Sequence, residues 1–191
     1  MEVWFAHRQD FEHKNMKEAS KMVCNADDFR LAMRRFPASV CIVTTGTPPL
    51  RTGLTATAIC SLSASPPQIL VCLNAKTGTC KAIQAHQRFA VNVLRPEHVA
   101  VAHRFAGMGA EKTTGEGRFL EGFWQEGDFG VPILSDAVVV LECSVSRLFE
   151  ASTHHILVGE VLNIPNSNDE SALMYRNGMF GAWTPLRTHD D

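Results

Sequence analysis

The segment from Gly53 to Ser63 carries small side chains and hydroxyls where a buried strand would carry large apolar ones. It reads Gly-Leu-Thr-Ala-Thr-Ala-Ile-Cys-Ser-Leu-Ser. One interpretation is a strand packed closely against another backbone, with its hydroxyls bonded locally. The other is a flat ligand lying against the strand, its polar edge read by backbone groups and hydroxyls. The segment alone leaves both interpretations open.

A second chemistry-bearing segment, residues 74–79, joins the end of a predicted strand to the start of a predicted helix. It contains the ammonium group of Lys76 and the hydroxyls of Thr77 and Thr79. Hydroxyls, a cation and the free amides of a helix N-terminus suit an anion such as phosphate. The simpler interpretation is a helix N-cap formed by Thr77 or Thr79. Taken with the hydroxyl-rich segment, this turn suggests a phosphorylated planar cofactor.

The sequence lacks the short motifs of several large enzyme classes. It has no G-x-G-x-x-G after a strand, no P-loop, no H-E-x-x-H and no G-x-S-x-G. His154 and His155 are adjacent, and on a strand they face opposite sides, so they cannot share one metal ion without distortion. No Cys or carboxylate stands at a metal-ligand spacing from them. We therefore expect no metal site and disfavour classical NAD enzymes, NTPases, zinc proteases and serine hydrolases.

The composition is that of an ordinary globular protein. The chain has 191 residues, a formal net charge of −2 and six cysteines without a C-x-x-C pair. The near-neutral charge predicts neither nucleic acid nor an anionic membrane as a partner. There is no run of 18 apolar residues and no secretory signal at the N-terminus. We therefore expect a cytoplasmic protein with mostly buried, unpaired cysteines.

The first part of the chain is predicted to be an extension and a helix. Residues 1–24 are polar and mixed in charge, with a loose helix expected over 11–22, and we assign them to an N-terminal extension. Asp27 is the expected N-cap of a helix whose apolar residues recur at i, i+3, i+4 and i+7 up to Phe36. Pro37 ends that helix. Residues 25–191 are predicted to form one domain.

Most of that domain is predicted to be β structure. Strands are expected over residues 40–45, 53–62, 68–73 and 89–94, and a hairpin over 137–149 and 154–164. Residues 174–183 are expected to form a last strand pair or an irregular segment. Helices are expected over 80–86 and from Pro96 to Phe105, and residues 107–130 resemble a long loop. Because helices and strands do not alternate strictly, we predict a mainly β fold: a six-stranded antiparallel Greek-key barrel with flanking helices.

The ordered succession of several short stretches resembles one known family. The chain is similar to the flavin reductase-like family, FMN-binding split-barrel proteins that include reductase components of two-component flavin monooxygenases and related corrin reductases. The resemblance runs from about residue 27 to 184. The matching stretches are Phe29-Arg30-x-Ala32-Met33, Val43-Thr44-Thr45, Gly53-Leu54-Thr55-Ala56-Thr57-Ala58-x-Cys60-Ser61, Ser65-Pro66-Pro67, Val71-Cys72-Leu73-Asn74, Phe89-Ala90-Val91-Asn92-Val93-Leu94, Arg104-Phe105-Ala106-Gly107, Arg118-Phe119, Thr153-His154 and Gly159-Glu160-Val161.

The resemblance implies a six-stranded split barrel that forms a homodimer, with FMN or FAD near the subunit interface and NADH or NADPH as co-substrate. It implies a catalytic role for His154 beside the flavin, as an orienting or proton-supplying group. A structural histidine at a strand end is the alternative. The implied cofactor-binding residues are Thr55, Ala56, Thr57, Ala58 and Ser61 along the ring and ribityl chain, Lys76, Thr77 and Thr79 at the phosphate, Phe105 as a wall or core residue, and Tyr175 in the closing tail.

Three functions fit these implications. The first is an NAD(P)H-dependent flavin reductase that delivers electrons to a partner monooxygenase or another acceptor. The second holds FMN tightly and reduces a second substrate directly, such as the corrin cob(II)yrinic acid a,c-diamide in cobalamin biosynthesis. The third is a flavin-binding module without catalytic activity. Hydride transfer onto a bound flavin needs stacking and exclusion of water, so the lack of a dinucleotide fingerprint does not count against the first two.

Overall fold

A computed structural model describes residues 24–108 and 115–186 of the chain. The chain divides into two compact units, residues 1–36 and residues 37–191. The division falls between Phe36 and Pro37, later in the chain than the boundary that we predicted after residue 24. The helix expected over residues 11–22 lies outside the described residues.

Helix α1 (Ala26–Met33) belongs to the first unit. Its N-cap is Asn25, whose side-chain oxygen accepts hydrogen bonds from the amides of Asp27 and Asp28 at 3.0 and 2.8 Å. The prediction that Asp27 caps the helix is therefore wrong, because Asp27 lies in the first turn, where its charge suits the helix dipole. None of the residues of α1 is buried, so its apolar residues stay exposed.

The second unit is mainly β, with two α-helices and two short 3₁₀ helices among its described residues. The strands are β1 (Ala38–Ser39), β2 (Cys41–Thr45), β3 (Thr52–Ala56), β4 (Ile59–Ala64), β5 (Pro67–Asn74), β6 (Arg88–Val93), β7 (Trp124–Glu126), β8 (Pro132–Leu134), β9 (Val139–Ala151), β10 (His154–Ser167), β11 (Leu173–Arg176) and β12 (Met179–Ala182). The α-helices are α2 (Gly78–His86) and α3 (Val99–Phe105), and the 3₁₀ helices are Pro96–His98 and Gly115–Leu120. The predicted class, mainly β with flanking helices, is confirmed.

Seven strands form one antiparallel sheet in the order β3-β2-β6-β9-β10-β5-β4. Its two edge strands, β3 and β4, follow each other in the chain and are joined only by Thr57 and Ala58. This joint brings the two edges of the sheet together without pairing them, which makes the sheet a barrel split at one place. The single strand predicted over residues 53–62 is wrong, because its two halves pair with different partners, β3 with β2 and β4 with β5. The sheet therefore has one strand more than predicted.

Strand β2 lies between two apolar clusters, and all five of its residues are buried. Successive side chains of a strand point to opposite faces, so Ile42 joins one cluster while Cys41 and Val43 join the other. Helix α3 packs on the first cluster through Phe105, and helix α2 packs on the second through Ile83. Both faces of the sheet centre are thus covered, and each of the two helices has a fixed position on its own face.

The predicted hairpin is present as β9 and β10, the longest pair in the sheet. Strand β10 begins at His154, which lies opposite Asn74, the last residue of β5. Gly159 lies farther along the same strand, where an added Cβ would come within 2.4 Å of the Phe89 ring. The close contact at Gly159 fixes the strand against the core, and with it the position of His154 at the strand end.

Candidate functional site

A cleft of about 620 Å³ lies beside the joint between the two sheet edges. Strand β3, the joint, the end of β5, the first turn of α2, the end of α3, the 3₁₀ helix Gly115–Leu120 and the start of β10 all contribute to it. Its volume is typical of small-molecule sites. The described residues that line it are Thr52, Leu54, Thr55, Ala56, Thr57, Ala58, Cys72, Leu73, Asn74, Thr77, Gly78, Thr79, Phe105, Ala106, Gly115, Arg118 and His154.

The structure brings most of the residues singled out from the sequence to this one cleft. These are Thr55, Ala56, Thr57, Ala58, Thr77, Thr79, Phe105 and His154. Three others lie elsewhere: Ser61 lines a second cavity, Lys76 is exposed and does not line the cleft, and Tyr175 packs against Phe180 at a ring distance of 5.3 Å. The structure therefore does not place Ser61, Lys76 or Tyr175 against a ligand in this cleft.

The joint forms one wall of the cleft and leaves backbone groups available. The β2–β3 ladder ends at Ala56 and the β4–β5 ladder begins at Ile59. Between them, the Ala58 carbonyl accepts a hydrogen bond from the Cys72 amide at 2.9 Å, whereas Thr57 lies outside both ladders. Polar backbone groups that are not paired within a sheet can read the edge of a planar ligand.

The hydroxyl of Thr55 is already bonded within the protein. It donates to the carbonyl oxygen of Ala102 in α3 at 2.7 Å. This bond holds α3 against β3 and leaves the lone pairs of the hydroxyl as acceptors. Both interpretations of the hydroxyl-rich segment therefore hold in part, since close packing and a polar cleft wall occur on the same strand.

Thr77 is the N-cap of helix α2. Its hydroxyl accepts from the Cys80 amide at 3.2 Å and donates to the Asn74 carbonyl at 2.8 Å. Thr79 is buried, and its hydroxyl lies 3.0 Å from the hydroxyl of Thr52 in β3. A Cβ added at Gly78 would meet no atom within 4 Å, so open space borders the first turn of the helix.

Arg118 reaches the cleft from the 3₁₀ helix Gly115–Leu120, and the sequence reasoning did not assign it to the site. Its Nη1 donates to the carbonyl oxygen of Gly53 at 2.5 Å. Burial lowers the pKa of the guanidinium from its ordinary value, since water is partly excluded around it. Arg118 belongs to a stretch that carries the family resemblance, Arg118-Phe119, but it lies in the predicted long loop, whose contacts no local pattern specifies. Two further lining residues were not assigned to the site: Asn74, which begins the segment 74–79 that was singled out, and Thr52, which directly precedes the segment 53–63.

Phe105 lines the cleft and is also a core residue. Its side chain is 1% exposed, and its ring centroid lies 5.1 Å from those of Phe119 and Trp124. An added Cβ at Gly53 would lie 2.8 Å from the Phe105 ring, so only glycine permits this close approach of β3 to α3. The part of the cleft lined by Phe105 is therefore rigid.

His154 lies at the rim of the cleft, at the start of β10. Its Nδ1 is 2.9 Å from the Thr153 hydroxyl, a contact that orients the ring. The neighbouring His155 packs on α2, with its Nδ1 3.5 Å from the Cys80 sulfur and 3.2 Å from the Gln84 amide nitrogen. Only His154 of the two lines the cleft.

The second cavity, of about 470 Å³, shares Thr57 with the cleft. Ser61, Ile59, Val161 and Ile164 are among its lining residues, and most of the others are apolar. Among the described residues there is no group of three or more His, Cys, Asp or Glu that could hold a metal ion. In the same part of the chain, no helix is long and apolar enough to cross a membrane.

The donor set of the cleft fits a phosphorylated planar cofactor. Threonine hydroxyls and the open space at Gly78 lie at the first turn of α2, and one arginine, Arg118, also lines the cleft beside apolar side chains. The described lining contains no carboxylate, so nothing there repels an anion. The first turn of α2 suits the phosphate, and the wall at Thr57 suits the edge of a ring.

Comparisons with known proteins agree with this geometry. The model of the flavin reductase like domain matches residues 33–184. The chain is 35% identical to an FMN reductase (NADH), RutF, of Ancylobacter novellus, over 89% of this chain and 92% of the relative.

Two solved structures share the fold. The NADH:FAD oxidoreductase SgcE6 of Streptomyces globisporus has a TM-score of 0.76 at 28% identity, covering 88% of this chain and 95% of that one. BorF, the flavin reductase component of a bacterial two-component tryptophan halogenase, has a TM-score of 0.76 at 26% identity, covering 85% of this chain and 100% of that one. Because the family model spans most of the chain and the split barrel carries its cleft where a flavin fits, the chain belongs to the flavin reductase-like family.

Proposed function

We propose that this protein is an NADH-dependent flavin reductase that binds FMN, or FAD, in the cleft and delivers the electrons to a partner enzyme. The observation that carries the proposal is the cleft of about 620 Å³ at the barrel split, which is lined by the joint residues Thr57 and Ala58 and by the first turn of α2. Relatives named FMN reductase (NADH) and NADH:FAD oxidoreductase support the same activity. BorF, the flavin reductase component of a two-component halogenase, supports delivery to a partner enzyme.

The residues of the chain bind, orient and exclude water, because a bound flavin itself supplies the hydride-accepting chemistry. The amides of Gly78 and Thr79 in the first turn of α2 hold the phosphate, and Thr77 fixes that turn as its N-cap. Thr57 and Ala58 read the polar edge of the ring through backbone groups. Phe105 keeps its side of the cleft apolar and free of water.

His154 orients the nicotinamide or supplies a proton at the rim. Its ring is held by Thr153, and it is the histidine on the cleft side of the β10 terminus. A side chain at the open edge meets the second substrate after the flavin has filled the interior. This position fits an orienting group, since correct placement of two stacked rings lowers the barrier to hydride transfer.

The protein is further proposed to act as a cytoplasmic homodimer, with the flavin near the subunit interface. Large apolar side chains remain exposed on three strands of the sheet, and exposed apolar patches mark association surfaces. These are Leu62 on β4, Phe149 on β9, and Leu162 and Ile164 on β10. The apolar second cavity lies at the same strands and adjoins the cleft through Thr57.

One spectroscopic series tests the proposal. Purified protein loaded with FMN is mixed anaerobically with NADH, and the flavin absorbance is followed. We expect bleaching that recovers on adding air or a partner acceptor. Binding without bleaching would instead identify a flavin-binding module. Slow flavin exchange combined with rapid reduction of a corrin would identify the second function considered above.

A further inference from the structure

His155 does not line the cleft but connects strand β10 to helix α2 behind it. The residue directly follows His154, and successive side chains of a strand point to opposite faces of the sheet. Its Nδ1 lies 3.2 Å from the amide nitrogen of Gln84 and 3.5 Å from the sulfur of Cys80. The backbone of α2 packs mainly against β2, β3 and β6. His155 is therefore a polar link between this helix and the strand that carries His154.

Two donors of the helix converge on Nδ1 of His155. The Gln84 amide nitrogen has two N–H groups, and it also donates to the carbonyl oxygen of Cys80 at 3.3 Å. Burial raises the pKa of the Cys80 thiol, so the thiol keeps its proton and can donate it to the ring. A ring nitrogen that faces two donors acts as the acceptor. The arrangement therefore assigns the ring proton to Nε2 and fixes the plane of the imidazole.

The link joins two parts of the cleft lining from behind. Cys80 directly follows Gly78 and Thr79, the first-turn residues of α2 that line the cleft. On the other side of the link, His154 lines the cleft at its rim. The position of His154 relative to the first turn of α2 therefore depends on the contacts that His155 makes.

The sheet ladders hold β10 but do not hold the helix. His154 pairs with Asn74 of β5 and with Ala151 of β9, and these pairs set its place within the sheet. His154 is also the first residue of its strand, and strand ends open more readily than strand centres. A contact from the adjacent residue to a neighbouring helix limits this opening.

We propose that His155 is a positioning residue for hydride transfer, which holds the start of β10 against α2 and thereby keeps His154 in place at the rim. In the proposed function, on which this role rests, His154 orients the nicotinamide or supplies a proton. The contacts of His155 lie within the protein itself, so they exist before any ligand binds. Such preorganisation lowers the cost of bringing the reacting groups together.

Two variants cut the link from its two sides. His155→Leu removes the acceptor but keeps an apolar side chain, and Gln84→Met removes the donor from the helix. We expect each to slow the single-turnover reduction of bound FMN by NADH by about 10-fold, because small misplacements of reacting groups are costly. The Kd for FMN, measured by fluorescence titration, should rise less than about threefold, since the joint and the Thr77 cap are unchanged.

A conservative variant and a control accompany them. His155→Asn should recover most of the rate, because its side-chain oxygen, like Nδ1, is bonded to Cγ and accepts the hydrogen bond of Gln84. His86→Ala removes an exposed imidazole from the last turn of the same helix and should leave the rate unchanged.

A double variant separates positioning from general damage to the structure. In the His154→Ala background, His155→Leu should slow the reduction by less than about twofold further, because its effect acts through His154. Two independent effects would instead multiply.

NMR spectra of the histidine rings, recorded without NADH, give a measurement that does not depend on catalysis. The His154 signal, assigned by its loss in His154→Ala, should shift in Gln84→Met and stay in place in His86→Ala. The shift is expected because Gln84 is distant from His154 in the chain and reaches it through His155.

Unchanged reduction rates in both link variants would overturn the proposal, as would a rate that His155→Asn does not recover, multiplied losses in the double variant or an unshifted His154 signal. The proposed function fails separately. A wild type that binds FMN but is not bleached by NADH contradicts the reductase activity, while the His154 signal still decides whether His155 positions that ring.

Discussion

At the level of single residues, the site depends on side chains that are fixed by the protein before any ligand arrives. Thr77 is tied to Asn74 and Cys80, and His154 is tied to Thr153. These contacts keep the functional groups in position, which reduces the reorganisation that binding and hydride transfer require. His154 is the one whose loss should affect chemistry more than cofactor binding, because it lies at the rim.

His154→Ala is expected to slow the single-turnover reduction of bound FMN by NADH by about 10-fold or more, through loss of orientation or of proton supply. The Kd for FMN should stay within about twofold, because the phosphate and ring edge are held by other residues. Stopped-flow absorbance and fluorescence titration measure the two quantities.

The control is His103→Ala. His103 is not among the lining residues of the cleft, and its ring contacts the ring of Phe180. It should leave the reduction rate unchanged. An unaltered rate in His154→Ala would assign that histidine to a structural role at the strand end.

At the level of elements, the sequence predicted the strands and helices that carry clear periodicity and missed where one strand ends. The apolar runs of β2, β5 and β6 and the helix capped by Thr77 were found from local pattern. The break at Thr57 was not found from the pattern, because Ala, Thr and Ser occur on both sides of it. The two sides differ only in the strands with which they pair, β2 for β3 and β5 for β4. The residue-level prediction for Lys76 was equally limited, since spacing does not tell which way a turn points its side chain.

Two glycines give opposite expectations for the elements around the cleft. Gly53→Ala should lower the free energy of unfolding by about 1–3 kcal/mol, because the added Cβ overpacks the contact with Phe105. The added Cβ would also lie 3.0 Å from the carbonyl oxygen of Val43, a backbone atom that cannot rotate away. Urea denaturation followed by fluorescence measures the change.

Gly78→Ala is the matched control, because its Cβ meets no atom within 4 Å. Its free energy of unfolding should hold or rise by up to about 1 kcal/mol, since alanine favours the helix. Its FMN affinity should fall, because the methyl group occupies the space offered to the phosphate. Equal stability of both variants would contradict the close packing of β3 on α3.

At the level of the whole molecule, the exposed apolar side chains of β9 and β10 predict association. Analytical ultracentrifugation should show a dimer, and Phe149→Glu combined with Ile164→Glu should raise its dissociation constant by at least about 10-fold, since buried charges oppose association. Leu50→Glu, at a more exposed position outside these strands, is the control and should not change the mass. A monomeric wild type would exclude the homodimer.

The pH dependence of stability should come partly from two core thiols. Burial raises the pKa of Cys41 to about 12; burial, and secondarily the charge of Glu142, raise that of Cys143 to about 12. In the unfolded chain both ionise near pH 9. Their contribution to the free energy of unfolding is therefore complete below pH 9. It is lost as the pH rises from 9 to 12, with a slope of about 1.4 kcal/mol per pH unit for each thiol.

Cys41→Val with Cys143→Val should flatten the decline between pH 9 and 11 relative to the wild type, while other alkaline titrations are common to both proteins. Denaturation midpoints measured across this range check the difference. If the denaturation midpoints of the wild type and the double variant fell in parallel with pH, the two thiols would be accessible to water in the folded protein.

The split in the barrel has a consequence for protein that has lost its cofactor. Strands β3 and β4 are the two edges of the sheet, and they do not pair with each other across the joint at Thr57 and Ala58. Unpaired strand edges can pair with the edges of other chains. A flavin bound against the joint covers part of these edges, so we expect the bound cofactor to reduce aggregation. Protein stored with saturating FMN should then aggregate less, by light scattering, than the same protein stored without FMN.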